Sequence, residues 1–325
     1  MRPMMVAGSS PTYNQARPEG RRSSSSTRSS EPRPPSMEGK SPLSTRRLDE
    51  EQCVDDDQCG AESRPPKPEN LVCGYDTRPL LPVALAVSTV IGMMVMMLLQ
   101  LPLLSRLFGI SLVVTSCCFL VVYGVTLGCM TYCAFCDPGQ LRRDQQATNP
   151  PKRAYKSWQY KRPVRRYDHY CRWLSNCIGL LNHREFLTML IGLVSIGILG
   201  AAVDVMLAVS MLNRGFWDAE LLIVLHLAYS VALLALAGPI FRIHAGLVSR
   251  NELAAEWKRN DFYVAKSLKR GETVAVNELS DDEFNSLFDA FIYDQKRNAF
   301  DRGSTKNCFS FWCLPRWAPD QQGEF

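Results

Sequence analysis

The first 79 residues contain no long apolar run, so no secretory signal peptide is expected to open the chain. Glycine is missing from the second position, where Arg2 stands, and this excludes N-myristoylation there. No retrieval tetrapeptide of the ER-lumen kind follows Trp317. The chain has 12 cysteines in 325 residues, but it is neither short nor evidently secreted, so a disulfide scaffold is not expected. Helix-turn-helix and zinc-module patterns are also missing, so the net charge of +5 is not read as nucleic-acid binding. Most informative is where charge is scarce: four later stretches are almost free of it.

Those stretches organise the chain. Residues 1–79, rich in Ser, Pro and Arg, read as a disordered cytosolic tail that cannot bury enough apolar surface to order itself. An acidic patch from Asp49 to Asp57 lies within it and reads as solvated tail before partner-docking motif. Apolar segments follow at 80–104, 107–135, 186–212 and 221–243, each long enough to cross about 30 Å of hydrocarbon as a helix. Only Ser105 and Arg106 separate the first two, which predicts a tight helical hairpin. The expected fold is therefore an all-α integral membrane protein, with four transmembrane helices and a cytosolic loop domain at 136–185 between helices 2 and 3. Residues 244–325 form a cytosolic C-terminal region in this reading. The orientation comes from the long loop, which carries Arg142, Arg143, Lys152, Arg153, Lys156, Lys161, Arg162, Arg165, Arg166, Arg172 and Arg184. The short loops contribute Arg106 and Arg214. The pair Gly197 and Ala201 on the third span has the small-residue spacing of close helix packing.

Two ionisable groups lie inside the spans, Asp204 and His226. Both fall near the luminal ends, where they either pair or reach the interface. One such pair does not make a continuous proton or ion relay, so transport is the weaker membrane reading.

The chemistry-bearing residues lie in the long loop: Asp168-His169-Tyr170-Cys171, then Asn176-Cys177-Ile178-Gly179, Asn182-His183-Arg184 and Phe186. A thiol close to a membrane entry point on the cytosolic side stays reduced. Nearby cations favour its thiolate, and Arg165, Arg166, Arg172 and Arg184 surround Cys171 in sequence. His169 can accept the thiol proton, and Asp168 can fix the imidazole tautomer. The plain alternative is a pair of inert core thiols, Cys171 and Cys177, beside a surface ion pair.

The stretch Asp168 to Phe186 resembles the core of the DHHC protein acyltransferases in its Asp-His-Tyr-Cys form. Asp137-Pro138-Gly139 resembles the family's Asp-Pro-Gly motif. His244, Leu247, Asn251 and Glu256 fit its region after the fourth span, and Asn298, Phe300, Asp301, Gly303 and Asn307 resemble its C-terminal element. The resemblance covers roughly residues 79–315, and four motifs in the right order are a far stronger signal than one tetrapeptide. It implies Cys171 as nucleophile and carrier of an S-acyl intermediate, with His169 as general base and Asp168 orienting it. Asp137, Pro138, Gly139, Asn176, Asn182, Asn251, Glu256 and Asn307 carry over as motif or structural positions. The implied reaction moves a long-chain acyl group, palmitoyl, from acyl-CoA to cysteines of membrane-associated proteins. The implied surroundings are membrane lipid and an endomembrane, ER or Golgi, with both termini cytosolic.

The departures from the family are concentrated in its zinc-binding Cys-rich segment. The place of the first Cys-x-x-Cys reads Tyr155-Lys156-Ser157-Trp158, and about a dozen residues are missing before Asp168. Tyr170 stands where the family has a zinc-ligand histidine, which leaves Cys177 without companions. No structural zinc and no other cofactor is expected, with an apolar mini-core of Tyr155, Trp158, Tyr160 and Tyr167 in place of the metal. Leu253 and Ala254 replace the family's paired threonines, and Arg172 replaces the usual proline. An amphipathic helix is expected around Asp281-Asp282-Glu283, Phe284, Leu287, Phe288 and Phe291. The alternative to the enzyme is a catalytically silent relative acting as membrane scaffold or adaptor.

Overall fold

The computed structural model describes residues 71–72, 75–76, 80–141, 151–211, 217–267, 271–279 and 290–316. The expected tail before residue 71, Arg142, Arg143, Arg214 and the acidic stretch Asp281 to Phe288 lie outside the described residues. A two-stranded hairpin, β1 (Leu71–Val72) and β2 (Tyr75–Asp76), precedes the first long helix.

Among the described residues, four helices are long and apolar enough to cross a membrane: α1 (Leu80–Phe108), α2 (Leu112–Phe135), α3 (His183–Met211) and α4 (Trp217–Ser249). Their limits correct the sequence boundaries. The first helix runs through Ser105 and Arg106, which are compatible with helix, and ends at Gly109, whose left-handed φ of 67° suits glycine. Ser111 then caps α2 by accepting from the Val114 N–H. At the other ends, α3 starts three residues before Phe186 and α4 continues through Arg242 and His244, since polar residues at a helix end extend it beyond the apolar run.

The bundle buries α3 most deeply, against α2 and α4. Close approach there depends on missing side chains. A Cβ on Gly197 would come within 2.6 Å of Leu234 Cγ, and one on Gly192 within 2.0 Å of Thr126 Oγ1. Without a solvent-driven term between helices in lipid, such contact supplies the van der Waals attraction that holds them.

Asp204 and His226 meet within the bundle instead of reaching its surface. The Asp204 carboxylate is fully buried and lies 2.8 Å from His226 Nδ1. It also accepts from Ser230 Oγ at 3.2 Å and from the Gln100 amide. Gln100 reaches it from a π-helical turn in α1, Met96–Gln100. Ser230 and Asp204 both face the same ring nitrogen, so the trio lacks the two-sided imidazole of a hydrolase triad.

Outside the spans the fold adds short strands to the expected all-α class. β3 (His169–Cys171) pairs antiparallel with β4 (Asn176–Ile178) between α2 and α3. After α4 come a short helix α5 (Ala254–Arg259) and a three-stranded sheet of β5 (Tyr263–Lys266), β6 (Thr273–Ala275) and β7 (Ala290–Tyr293). Phe291 belongs to β7, opposite Ala265, and not to a helix. The last element, α6 (Ser304–Cys313), packs on α4 and on the start of α3. Arg316 holds it there through a two-pronged pair with Glu185, and Arg184 donates to the Leu314 carbonyl.

The α3–α4 contact gives the first prediction. Gly197→Val forces Leu234 and the Ser230 carbonyl outward and should lower stability by about 1–3 kcal/mol. Thermal melting of the detergent-solubilised protein reads the loss, with Gly128→Ala, whose Cβ meets nothing within 4 Å, as the neutral comparison.

Candidate active site

The loop between α2 and α3 is stitched to both of its flanking helices by side chains from the sequence motifs. Asp137 Oδ1 accepts from the N–H groups of Gly139 and Gln140, each at 2.9 Å, and turns the chain as it leaves α2. Gly139 has a φ of 111°, which favours glycine, and its carbonyl accepts from Arg165 N–H at 2.9 Å. The Pro138 carbonyl accepts from Leu181 N–H at 3.1 Å. Asn176 Nδ2 donates to the last-turn carbonyls of Cys133 and Cys136, at 2.9 and 3.0 Å. Those carbonyls are helix-end acceptors with no partner inside the helix, so Asn176 is a C-terminal cap supplied from β4. Asn182 closes the turn before α3, accepting from Gly179 N–H and donating to the Cys177 carbonyl.

A second set ties the loop to the segment after α4. Arg153, buried, forks onto both Glu256 oxygens at 2.7 and 2.8 Å and onto the Asn251 carbonyl at 2.7 Å. Asn251 adopts a left-handed φ of 46° and accepts from Arg166 at 2.8 Å. Glu256 Oε2 also accepts the Leu253 N–H and so completes a capping arrangement at α5. Asn307 donates to the Ser249 carbonyl at the end of α4 and to Asp301.

These supports surround a buried chain of three side chains. Asp168 is fully buried, with Oδ1 accepting from the Ala254 N–H at 2.8 Å and Oδ2 facing His169 Nδ1 at 2.7 Å. His169 starts β3, its ring packed at 5.2 Å from both Phe186 and His244, and its other hydrogen bond goes to Cys171. Cys171 ends β3, buried in the main apolar core with Leu174, Phe186 and Leu190. Burial alone would raise the Asp168 carboxyl, but the imidazoles of His183, His169 and His244 hold it well below the usual carboxylate range. Burial likewise lowers His169, yet its hydrogen bonds to Asp168 and Cys171 outweigh this and raise it to about 9. A thiol beside an imidazole that keeps its proton at neutral pH can stand as a thiolate, the nucleophilic form.

The structure thus joins Asp168, His169 and Cys171, and assigns Asp137, Pro138, Gly139, Asn176, Asn182, Asn251, Glu256 and Asn307 to the frame around them. Of the arginines, Arg166 donates to Asn251 and Arg184 to the Leu314 carbonyl at the end of α6, and His169 is the cation hydrogen-bonded to Cys171. Three participants carried no assigned function in the sequence: Arg153, hidden among many loop cations, His183, and the Ala254 backbone. Glu256, retained without the threonines, is the signal that points to a buried cation.

Residues 137–261 match the family model described as DHHC palmitoyltransferase. Over this stretch the chain is similar to DHHC palmitoyltransferase domains. The chain is 26% identical to mouse palmitoyltransferase ZDHHC2 over 146 residues, covering 44% of this chain and 38% of that protein. A segment of 37 residues is 51% identical to palmitoyltransferase akr1 of Schizosaccharomyces pombe, covering 11% of this chain and 6% of that protein. The chain therefore spans well under half the length of these curated relatives. In this DHHC-like region the backbone N–H of Ala254 holds Asp168, a contact that needs no threonine side chain.

The resemblance implies structural zinc, and the donors at the DHHC domain's ligand places do not fit it. Cys177 Sγ faces the Ser157 hydroxyl at 3.1 Å and the Gln159 amide oxygen at 3.4 Å, where tetrahedral zinc takes four nitrogen or sulfur ligands. Aromatic contacts fill the surroundings. Trp158 lies edge-on to Tyr170 at 5.2 Å, Tyr155 packs on Tyr167 at 5.2 Å, and the Tyr160 hydroxyl donates to Asn176.

The chain has only 4 histidines, so their NMR signals can be assigned one by one. The His169 titration midpoint should lie near pH 9. Its stabilising contribution is complete below the ordinary histidine range of about 6.5 and is lost as pH rises through about 9. Asp168→Asn should move the midpoint down toward the ordinary range; an unmoved midpoint would remove Asp168 as the cause.

Proposed function

We propose that the protein is an S-acyltransferase that moves a long-chain acyl group, palmitoyl, from acyl-CoA through Cys171 to cysteines of membrane-associated proteins. The observation that carries this reading is the buried Asp168–His169–Cys171 chain at the mouth of an apolar bundle, within a DHHC domain. The Cys171 thiolate attacks the acyl-CoA thioester carbon, forming a new carbon–sulfur bond as the bond to CoA sulfur breaks. The departing CoA thiolate takes the proton from His169. An acceptor thiol then gives its proton to His169 and attacks the acyl carbon, and Cys171 is released as thiolate. One thioester replaces another, so orientation and a ready thiolate matter more than driving force. The acyl chain then lies among the apolar helices next to Cys171, whose core neighbours include Phe186, Leu187 and Leu190 of α3.

The Lys- and Arg-rich loop supports a cytosolic site with both termini on the same side, and the resemblance to the DHHC family supports an endomembrane of the ER or Golgi. The loop folds without structural zinc in this reading, held by the Arg153–Glu256 pair and the aromatic contacts around Cys177. The lost zinc ligands favour a second reading, a silent scaffold that keeps the frame without the chemistry.

Autoacylation with an alkyne-tagged palmitate analogue separates the two. Label that hydroxylamine removes should be present in the wild type and lost in Cys171→Ser. Equal label in both would place it on other cysteines, such as Cys308 or Cys313, and favour the scaffold. Elemental analysis of EDTA-dialysed protein should find no stoichiometric zinc; retention of one or two ions, released by Cys177→Ser, would overturn the zinc-free loop.

A further inference from the structure

The Asp168 carboxylate is approached by more imidazoles than acyl transfer requires. Besides His169, His183 Nε2 lies 3.9 Å from Oδ1 and His244 Nδ1 lies 3.7 Å from Oδ2. Neither distance is a hydrogen bond. His244 Nδ1 and both ring nitrogens of His183 are buried with no hydrogen-bond partner. The His244 side chain is only 9% exposed and its ring packs at 5.0 Å from Phe186, so water does not readily solvate that nitrogen. An orphaned polar atom of this kind costs free energy unless something binds it.

A metal ion is the ligand that fits. One donor atom from each of Asp168, His169 and His244 lies within 4.8 Å of the other two. They arrive from two places in the fold: the adjacent Asp168 and His169 at the start of β3, and the last turns of α4. A carboxylate and two imidazoles form a three-ligand zinc set with an open fourth position, in which ligand atoms stand about 3.3 Å apart. Reaching that spacing opens the 2.7 Å Asp168–His169 contact and closes the 3.7 Å Asp168–His244 one. These residues differ from the cysteine-rich positions where the family resemblance implies structural zinc.

We propose that Asp168, His169 and His244 form a reversible zinc-binding site, and that zinc held there keeps the thiol chemistry at Cys171 switched off. The inhibitory consequence rests on the acyl-transfer reading; the binding site does not. Zinc takes the place of the proton on His169 Nδ1, which passes to solvent, and a zinc–nitrogen bond replaces the hydrogen bond to Asp168. No redox change is involved. With Nδ1 held by the ion, the ring is fixed by the metal instead of by the Asp168 hydrogen bond, so Nε2 loses the alignment on Cys171 through which protons pass to and from sulfur. Because three protein ligands leave one position open, the ion exchanges and chelators remove it.

The test uses the full chain in detergent, stripped with EDTA, with Cys171→Ser as background so that the nucleophile cannot bind metal. Zn²⁺ is titrated against a chromophoric chelator, and Co²⁺ reports the site by its visible absorption. One equivalent should bind, and His244→Ala should weaken binding by roughly tenfold or more while abolishing the cobalt band. His244→Gln repeats the measurement with the ring's volume better filled, in case alanine disturbs the fold. Failure to bind one equivalent, or affinity unchanged in both variants, would overturn the site. Zn²⁺ should also arrest wild-type autoacylation, and EDTA should restore it. Should autoacylation prove independent of Cys171 while His244-dependent binding persists, the acyl-transfer reading fails and the metal site stands.

Discussion

A guanidinium buried between two parts of the chain holds the site together. Arg153 comes from the loop between α2 and α3, whereas Glu256 and Asn251 come from the segment after α4. Taking these charges out of water is costly, and losing one partner of such a pair costs roughly 3–5 kcal/mol because the other is left buried. Two forked hydrogen bonds and a cap at Leu253 make the pairing sufficient here. The Arg153 guanidinium also lies 3.6 Å above the Phe300 ring, which draws in the C-terminal segment. With Glu256 fixed, α5 begins where the Ala254 N–H meets Asp168, and with Asp168 fixed the tautomer and direction of His169 follow.

Several motif asparagines have a common physical use. Asn176 satisfies the open carbonyls at the end of α2, Asn307 reaches that of Ser249 at the end of α4, and Asn298 reaches that of Arg250. Helices that leave a bilayer end with carbonyls in need of donors. The asparagine amide donates to such carbonyls and accepts from a backbone N–H one or two residues on, as Asn176 does with Cys177 and Asn298 with Phe300. Polar side chains in the motifs are therefore joints between span and surface, and the reacting groups are few.

Inside the bundle, the Gln100–Asp204–His226–Ser230 cluster shows the same economy. A carboxylate at that depth is tolerated because two other helices bring donors to it. It links α1, α3 and α4 away from the thiol site, where the rest of the contact is apolar.

The sequence by itself determined the four spans, the loop between the second and third, and the Asp168, His169 and Cys171 trio. Apolar length and the local spacing of reactive groups are properties of neighbouring residues, and both survive without knowledge of folding. It also placed the aromatics Tyr155, Trp158, Tyr160 and Tyr167 around the lost ligands. Span ends were less legible, because Gly109 and Ser111 stop a helix by backbone conformation and capping, which hydropathy does not register. Only the tertiary structure decided that Arg153 answers Glu256 across 103 residues, that Arg184 reaches the end of α6, and that His183 and His244 crowd Asp168. Those are pairings between distant segments, and a charge in a sequence names no partner until folding takes water away from it.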